Sequence, residues 1–197
     1  MELILAVLLH DIGKPPTLQT PRKDKTDRIR FNNHDNTGAE LASKICKNLA
    51  LSAPEKFGID CENISWLVRK HMLLVHGHPD VLRPNTIEKY FFSDRYPGHN
   101  LIKLAWLDIS ATITQNGPLD HELVQALIKR IKKMRRLVVK KKSQQVLPEH
   151  LLTGDEIMQA LKLKPGVQIG KIKDKLREKQ LKGEIKNKKQ ALKFIKK

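Results

Sequence analysis

The sequence is poor in cysteine and has no long hydrophobic run, and each shortage excludes a class of protein. Its 197 residues include only two cysteines, Cys46 and Cys61, and no CxxC motif. This usage argues against a zinc knuckle and indicates a reducing, cytoplasmic compartment. No apolar stretch is long enough to cross a bilayer, so no membrane partner is expected. The apolar opening is not typical of a signal peptide, because it carries Glu2 where such peptides carry Lys or Arg.

Acidic residues are scarce in one part of the chain only. The net charge is +17, and residues 129–197 hold 23 of the 38 basic residues but only 6 of the 21 acidic ones. Residues 1–128 therefore hold 15 of each sign and are neutral. We interpret this as two domains, 1–128 and 129–197, of which the first holds a site. The basic second part indicates a polyanionic partner, foremost a nucleic acid.

The first fourteen residues, MELILAVLLHDIGK, are the most informative stretch. The apolar run over 3–9 predicts a helix that is buried on all sides. Its last turn delivers His10 and Asp11, Gly13 lets the chain turn, and Lys14 adds a cation before two prolines forbid further helix. Imidazole and carboxylate are ligands for ions such as Mg, Mn, Fe, Zn, Ni or Co. A helix end that carries polar side chains by chance is equally consistent with the dipeptide alone.

Two more histidines stand at informative places in this part. Residues 15–33 are expected to form an exposed loop, and His34 follows them at a helix entrance, with Asp35 or Asn36 as the N-cap. His71 lies on the apolar face of a helix predicted to run from Asp60 to about residue 74. Each histidine by itself is better explained without a metal, His34 as a cap or surface residue and His71 as a hydrogen-bonded core residue. Two further histidines, at 76 and 78, are predicted in a loop.

A lone carboxylate completes the set. Asp108 falls within NLIKLAWLDISATIT, residues 100–114, which predicts a helix that is apolar on almost every side. A buried carboxylate is costly unless it is paired, hydrogen-bonded or bound to a metal, and no nearby residue offers a partner. Candidate partners are the earlier His and Asp residues. Together these residues predict one mixed histidine and carboxylate metal site, made of His10, Asp11, His34, His71 and Asp108.

The basic part is predicted to be helical. Apolar residues recur at helical spacing from His121 to about Gln144, with a basic face between them. Thr153 has a capping-box pattern, Asn187 can cap a last helix, and Arg177 is predicted to face outward. Aromatic residues are few, which favours phosphate contact with structured RNA over base stacking, and makes a membrane-surface helix the minor alternative. The predicted RNA-binding residues are Lys129, Arg130, Lys132, Lys133, Arg135, Arg136, Lys140, Lys171, Lys173 and Lys175.

The segments LAVLLHDIGK, FNNHDNTGAELASKI, WLVRKHM and the Asp108 helix resemble the HD superfamily of metal-dependent phosphohydrolases. With residues 151–185, LLTGDEIMQALKLKPGVQIGKIKDKLREKQLKGEI, the sequence is most similar to the HD-containing C-terminal part of bacterial tRNA nucleotidyltransferases and poly(A) polymerases. This resemblance implies an all-α fold, in which an HD-type helical domain precedes a smaller basic helical tail that binds tRNA.

The resemblance also implies roles for individual residues. His10, Asp11 and Asp108 match the HD metal ligands, and His34 and His71 match the extra ligands of two-metal members. Asp11 and Lys14 would be catalytic, with Lys14 meeting a phosphate, and the cofactor would be a divalent Mg, Mn, Co or Ni ion.

The sequence departs from the family pattern in two respects. It has no histidine upstream of His10, where HD domains usually take a further ligand. It also lacks the Gly-Ser motif and paired aspartates of a nucleotidyltransferase head. We therefore expect a head-less portion that does not add CCA or poly(A) by itself, with a separate head as one candidate partner. Two alternatives stay open: a free-standing HD phosphohydrolase acting on 2′,3′-cyclic phosphates, and an RNA-binding remnant without activity.

Overall fold

The computed structural model describes residues 1–55, 57–74, 83–114, 117–118, 120–136, 139–141 and 144–196, and the side chains at 114, 118, 139–141 and 144–146 are not described. The described residues form ten α-helices: α1 (Glu2–Leu9), α2 (Pro21–Asp24), α3 (His34–Asn48), α4 (Cys61–Lys70), α5 (Pro84–Phe91), α6 (Gly98–Ala111), α7 (Glu122–Arg135), α8 (Gly154–Leu161), α9 (Val167–Leu181) and α10 (Lys188–Ile195). Two 3₁₀ turns, Pro15–Thr17 and His71–Leu73, complete the helical structure. The loop predicted to hold the histidines at 76 and 78 lies outside the described residues.

The β-structure among the described residues consists of two antiparallel strand pairs. Strand β1 (Ile113–Thr114) pairs with β2 (Gly117–Pro118), and β3 (Val139–Lys141) pairs with β4 (Gln144–Val146). Ladders of two and three residues add little to the fold, so the predicted all-α class is confirmed. None of the helices that the structure describes is long and apolar enough to span a membrane.

The chain divides into two compact units. The first comprises Met1–Pro79 and Asp94–Leu127. In it α3 packs along α4, while α1 packs on α4 and α6. Its core includes residues that are fully shielded from solvent, among them Ala39, Ala42, Cys46, Ile64 and Val68. Asp60 caps α4 as predicted, because its carboxylate accepts hydrogen bonds from the backbone N–H groups of Glu62 and Asn63.

The second unit comprises Asp80–Ser93 and Ile128–Lys197. In this unit α9 packs against α5, α8 and α10. The predicted caps are confirmed: Thr153 and Glu156 form a capping box at α8, and Asn187 accepts a hydrogen bond from the backbone N–H of Gln190 at α10. The apolar core of this unit includes Leu152, Ile157, Ile169, Leu176, Ile185 and Ala191.

Several sequence-based expectations for the first unit are wrong. Of the α1 residues only Ala6 is buried, and Ile4 and Leu8 remain 58% and 72% exposed, because α1 packs through one side only. Helix α3 begins at His34 with Asn33 as its N-cap, so neither predicted cap position is used. The expected loop over 15–33 contains α2 and a bridge between Gln19 and Arg30. Helix α6 is not buried on almost every side, because Trp106 and Leu107 are exposed to solvent.

Two corrections concern the second unit. The helix predicted to reach about Gln144 ends at Arg135, and Lys140 lies on β3. Three consecutive lysines and two β-branched valines disfavour further helix there. Arg177, predicted to face outward, is 2% exposed. Its side chain is buried because Glu88 supplies a partner carboxylate, at 2.6 Å between Nε and Oε1.

Candidate metal centre

The turn that follows α1 brings three polar groups together. Nδ1 of His10 donates to the carbonyl oxygen of Val7 at 2.8 Å, which fixes the ring. Its Nε2 then lies 3.3 Å from Oδ2 of Asp11 and 3.5 Å from Oδ1 of Asp108. The predicted need of Asp108 for a distant partner is therefore met by His10.

The other two histidines are oriented in the same way. Nδ1 of His34 donates to the carbonyl of Phe31 at 2.8 Å, and Nδ1 of His71 donates to that of Val68 at 2.6 Å. Both rings are buried, at 8% and 1% exposure. Their Nε2 atoms are 3.2 Å apart and lie 3.6 Å and 3.8 Å from Oδ1 of Asp11.

This arrangement has the donor chemistry of a metal site. With Nδ1 of His34 and His71 donating to carbonyls, each Nε2 presents a lone pair, and the two lone pairs face each other. Two such nitrogens lie stably 3.2 Å apart when a proton or a metal ion is shared between them. One ligand atom each from Asp11, His34 and His71 lie within 4.8 Å of one another. Two imidazoles and a carboxylate, each oriented by an outer hydrogen bond, fit a divalent metal ion.

The pKa values of His10 and His71 are shifted in opposite directions. Hydrogen bonds to Asp108 and then Asp11 raise the pKa of His10 to about 10. The hydrogen bond from His10 lowers the pKa of Asp108, and at Asp11 burial is outweighed by hydrogen bonds from His10 and Lys14, so its pKa also falls. Burial lowers the pKa of His71. His71 is therefore neutral at pH 7, the state that binds metal, while both carboxylates are ionised.

Lys14 lies at the accessible edge of the site. Its Nζ is 2.6 Å from Oδ2 of Asp11 and 5.8 Å from the ring centre of Phe31, and its side chain is 40% exposed. An ammonium in this position is within reach of an anion that approaches the carboxylate.

The structure brings all five predicted site residues to one place, on α3, on α6, in the turn after α1 and in the 3₁₀ turn after α4. It also shows orienting groups that the sequence analysis missed, namely the carbonyls of Val7, Phe31 and Val68. Each carbonyl lies three residues before its histidine. No sequence signal could identify them, because every residue carries a carbonyl group.

Four of the five basic residues of α7 are exposed on its outward side. Ile131 and Met134 are 6% and 4% exposed, and the cations between them point away from that apolar side. Arg130 is half-buried, 3.9 Å from Glu178. On α9, Lys173 is half-buried. The exposed cations are Lys129, Lys132, Lys133, Arg135, Arg136, Lys171 and Lys175.

The pKa of His10 predicts how the metal-free protein responds to pH. Because the folded-state pKa, about 10, exceeds the ordinary value of 6.5, the His10 contacts stabilise the fold fully below pH 6.5. That contribution should be lost as the pH rises from 6.5 to about 10. We expect the difference in unfolding free energy between the wild type and His10→Gln, measured with urea in EDTA, to shrink over this range. A difference that is constant with pH would contradict the assignment.

Comparison with known proteins agrees with this geometry. The HD domain family model matches residues 1–98. The A-adding tRNA nucleotidyltransferase of Deinococcus radiodurans is 30% identical over 190 residues, which are 96% of this chain and 40% of that protein. The CC-adding tRNA nucleotidyltransferase of Thermus thermophilus is 28% identical over 196 residues, 99% of this chain and 39% of that protein. No solved structure matches.

A second group of relatives shares a shorter segment. The bifunctional uridylyltransferase/uridylyl-removing enzyme of Ruegeria pomeroyi is 33% identical over 90 residues, 45% of this chain and 8% of that protein. Almost the whole of this chain aligns with the two tRNA nucleotidyltransferases, and it spans about two fifths of their length. Residues 1–98 therefore match the HD domain family, and nearly the whole chain is similar to a part of the tRNA nucleotidyltransferases.

Proposed function

We propose that this chain is the tRNA-binding and HD portion of a tRNA nucleotidyltransferase-like protein, which acts in tRNA 3′-end processing or repair. The observation that carries the proposal is the identity to two tRNA nucleotidyltransferases over nearly the whole chain, including its basic part.

The outward face of α7 is the proposed RNA contact. Lys129, Lys132 and Lys133 are exposed on this face, while Ile131 and Met134 are buried on the other side, so the lysine charge is available to phosphates. Contact with phosphates releases counterions, which makes the affinity depend on salt. The exposed lysines of α9 would extend the contact within the second unit.

Neutralising this face should weaken binding in a measurable way. For Lys129→Gln/Lys132→Gln/Lys133→Gln, we expect weaker tRNA binding. The slope of log affinity against log salt should fall by roughly 0.7–0.9 for each phosphate that the variant no longer neutralises. Fluorescence anisotropy with labelled tRNA between low and physiological salt measures both quantities.

The matched control removes the same charge from the first unit. Lys23, Lys44 and Lys47 are exposed there, and their triple Gln variant should keep the wild-type slope. A basic-face variant that binds like the control would contradict the proposed contact. Equal wild-type affinity for tRNA and for an RNA duplex of the same length would argue against a tRNA-specific role.

The geometry of the metal centre favours a second candidate function, metal-dependent hydrolysis of a phosphoester such as a 2′,3′-cyclic phosphate at an RNA end. Its support is the convergence of Asp11, His34 and His71, with ligand atoms all within 4.8 Å. These three residues, joined by His10 and Asp108, would hold one or two divalent ions such as Mg, Mn, Co or Ni. A divalent ion held there would supply a water whose pKa is lowered toward neutrality, and would offset negative charge on phosphoryl oxygens.

The chain's own residues would prepare the site for a phosphate. The carbonyls of Phe31 and Val68 hold the imidazoles of His34 and His71 in the tautomer that offers Nε2 inward. Asp108 orients His10. Lys14 is placed to neutralise charge that develops on the phosphoryl oxygens as the bond breaks.

Hydrolysis of a 2′,3′-cyclic nucleotide by the purified chain, across the four metals, tests this function. We expect turnover that EDTA abolishes and that His10→Ala/Asp11→Ala lacks. Turnover that survives in EDTA or in the double variant would contradict the site. Absence of turnover with every metal, together with tRNA binding, would leave the first proposal alone.

A further inference from the structure

Gly13 lies directly against the first turn of α3. A Cβ atom at this position would lie 2.0 Å from the carbonyl oxygen of His34 and 2.6 Å from the backbone nitrogen of Gly38. Both neighbours are backbone atoms, which cannot rotate out of the way as a side chain can. Any L side chain at residue 13 would therefore have to move α3 or the turn.

The reason for glycine here is the close approach rather than the backbone conformation. Among the described residues, the glycines with positive φ are Gly58, Gly117 and Gly183. Gly13 lies in the predicted turn, over residues 10–14, but does not share that conformation, so the turn itself does not require a glycine. Contact with α3 decides the residue type.

Gly38 forms the other half of this contact. It lies one helical turn after His34, and a Cβ atom there would lie 3.3 Å from the nitrogen of Gly13. It would also lie 3.2 Å from Cγ1 of Val68, whose carbonyl orients His71. The contact between Gly13 and Gly38 therefore joins the three segments that present Asp11, His34 and His71.

We infer that the contact between Gly13 and Gly38 is the positioning device of the metal centre. It sets the 3.6 Å separation between Oδ1 of Asp11 and Nε2 of His34. Asp11 lies two residues before Gly13, and the atom that Gly13 abuts is the carbonyl of His34 itself. A methyl group at Gly13 must retreat by about 1 Å, from 2.0 Å to beyond 3.0 Å, and this displacement passes directly to the ligand pair. The inference rests on the metal binding that we propose above.

Three glycine-to-alanine variants test the inference by metal affinity, without recourse to turnover. Gly13→Ala should weaken Mn²⁺ binding by roughly 10–100-fold, the range seen when outer groups that orient metal ligands are lost. Gly38→Ala should weaken it less, because its neighbours are 3.2–3.3 Å away. The control, Gly170→Ala on α9, meets nothing within 4 Å and should bind like the wild type.

The readouts separate positioning from general destabilisation. Affinity is measured by calorimetry at a temperature where circular dichroism shows every variant folded, and the visible spectrum of bound Co²⁺ reports the ligand set. Gly13→Ala should alter that spectrum as the His34 ligand is displaced. Wild-type affinity and spectrum in Gly13→Ala would overturn the inference. If Gly13→Ala does not fold, the metal affinity of Gly38→Ala is the test, and a wild-type affinity in that variant overturns the inference.

Failure of the proposed metal site would be distinguishable from failure of this inference. If the wild type binds no metal, crystal structures of the metal-free wild type and Gly38→Ala decide the question. A longer distance between Asp11 and His34 in the variant would support the positioning role. An unchanged distance would overturn it.

Discussion

Asp11→Asn is expected to abolish metal binding and, with it, any metal-dependent hydrolysis. The Asp11 carboxylate lies close to the three histidines and the lysine of the site. Its Oδ1 faces His34 and His71 at 3.6 Å and 3.8 Å, while its Oδ2 faces His10 and Lys14. Asparagine keeps the shape but removes the negative charge opposite a dication. Since loss of groups that only orient ligands costs 10–100-fold in affinity, loss of this ligand should cost more than about 100-fold.

Calorimetric titration with Mn²⁺ measures the affinity, and the cyclic-nucleotide assay measures the activity. Asp155→Asn is the matched control, because Asp155 is an exposed carboxylate in the first turn of α8. It should bind metal like the wild type. Retention of wild-type affinity by Asp11→Asn would remove Asp11 from the site.

Arg177→Ala is expected to destabilise the second unit severely. The guanidinium is 2% exposed and forms a bidentate pair with Glu88, at 2.6 Å and 2.9 Å. It also donates to the carbonyl of Pro148 and to the side chain of Gln180. Removing it leaves the Glu88 carboxylate without its counter-charge, and breaking a buried ion pair from one side costs about 3–5 kcal/mol.

Urea unfolding followed by circular dichroism measures this loss. Lys175→Ala is the control, since Lys175 is exposed on the same helix and should change the free energy by less than about 0.5 kcal/mol. The double variant Arg177→Met/Glu88→Leu should recover much of the loss, because no buried charge remains unpaired. If Arg177→Ala costs no more than the control, the ion pair does not hold this unit together.

Local features were predictable because the interactions behind them are short-range. The caps at Asp60, Thr153 and Asn187 join atoms two or three residues apart, so the residue types identify them. The inward direction of His71 follows from its place in a helical apolar pattern, and the structure confirms its burial. The need of Asp108 for a distant partner followed from the cost of burying a charge.

Four outcomes could not be predicted, and each depends on residues distant in sequence. The burial of Arg177 requires Glu88, 89 residues earlier, which no helical pattern contains. One side of α1 is exposed because the helix packs on α4 and α6 through its other side only. The end of α7 at Arg135 reflects competition between helix and a strand pair with later residues. The role of Gly13 comes from its contact with α3.

The residue types available for a metal and an anionic partner, and the segments that can be helical, are readable from the amino-acid sequence, because charge, ligand chemistry and helical periodicity belong to the residues themselves. The tertiary structure alone decided that Asp11, His34 and His71 meet within 4.8 Å. It also decided that two glycines allow this approach and that a buried arginine is paired. Distance, burial and steric fit are relations between segments, and they exist only once the chain has folded.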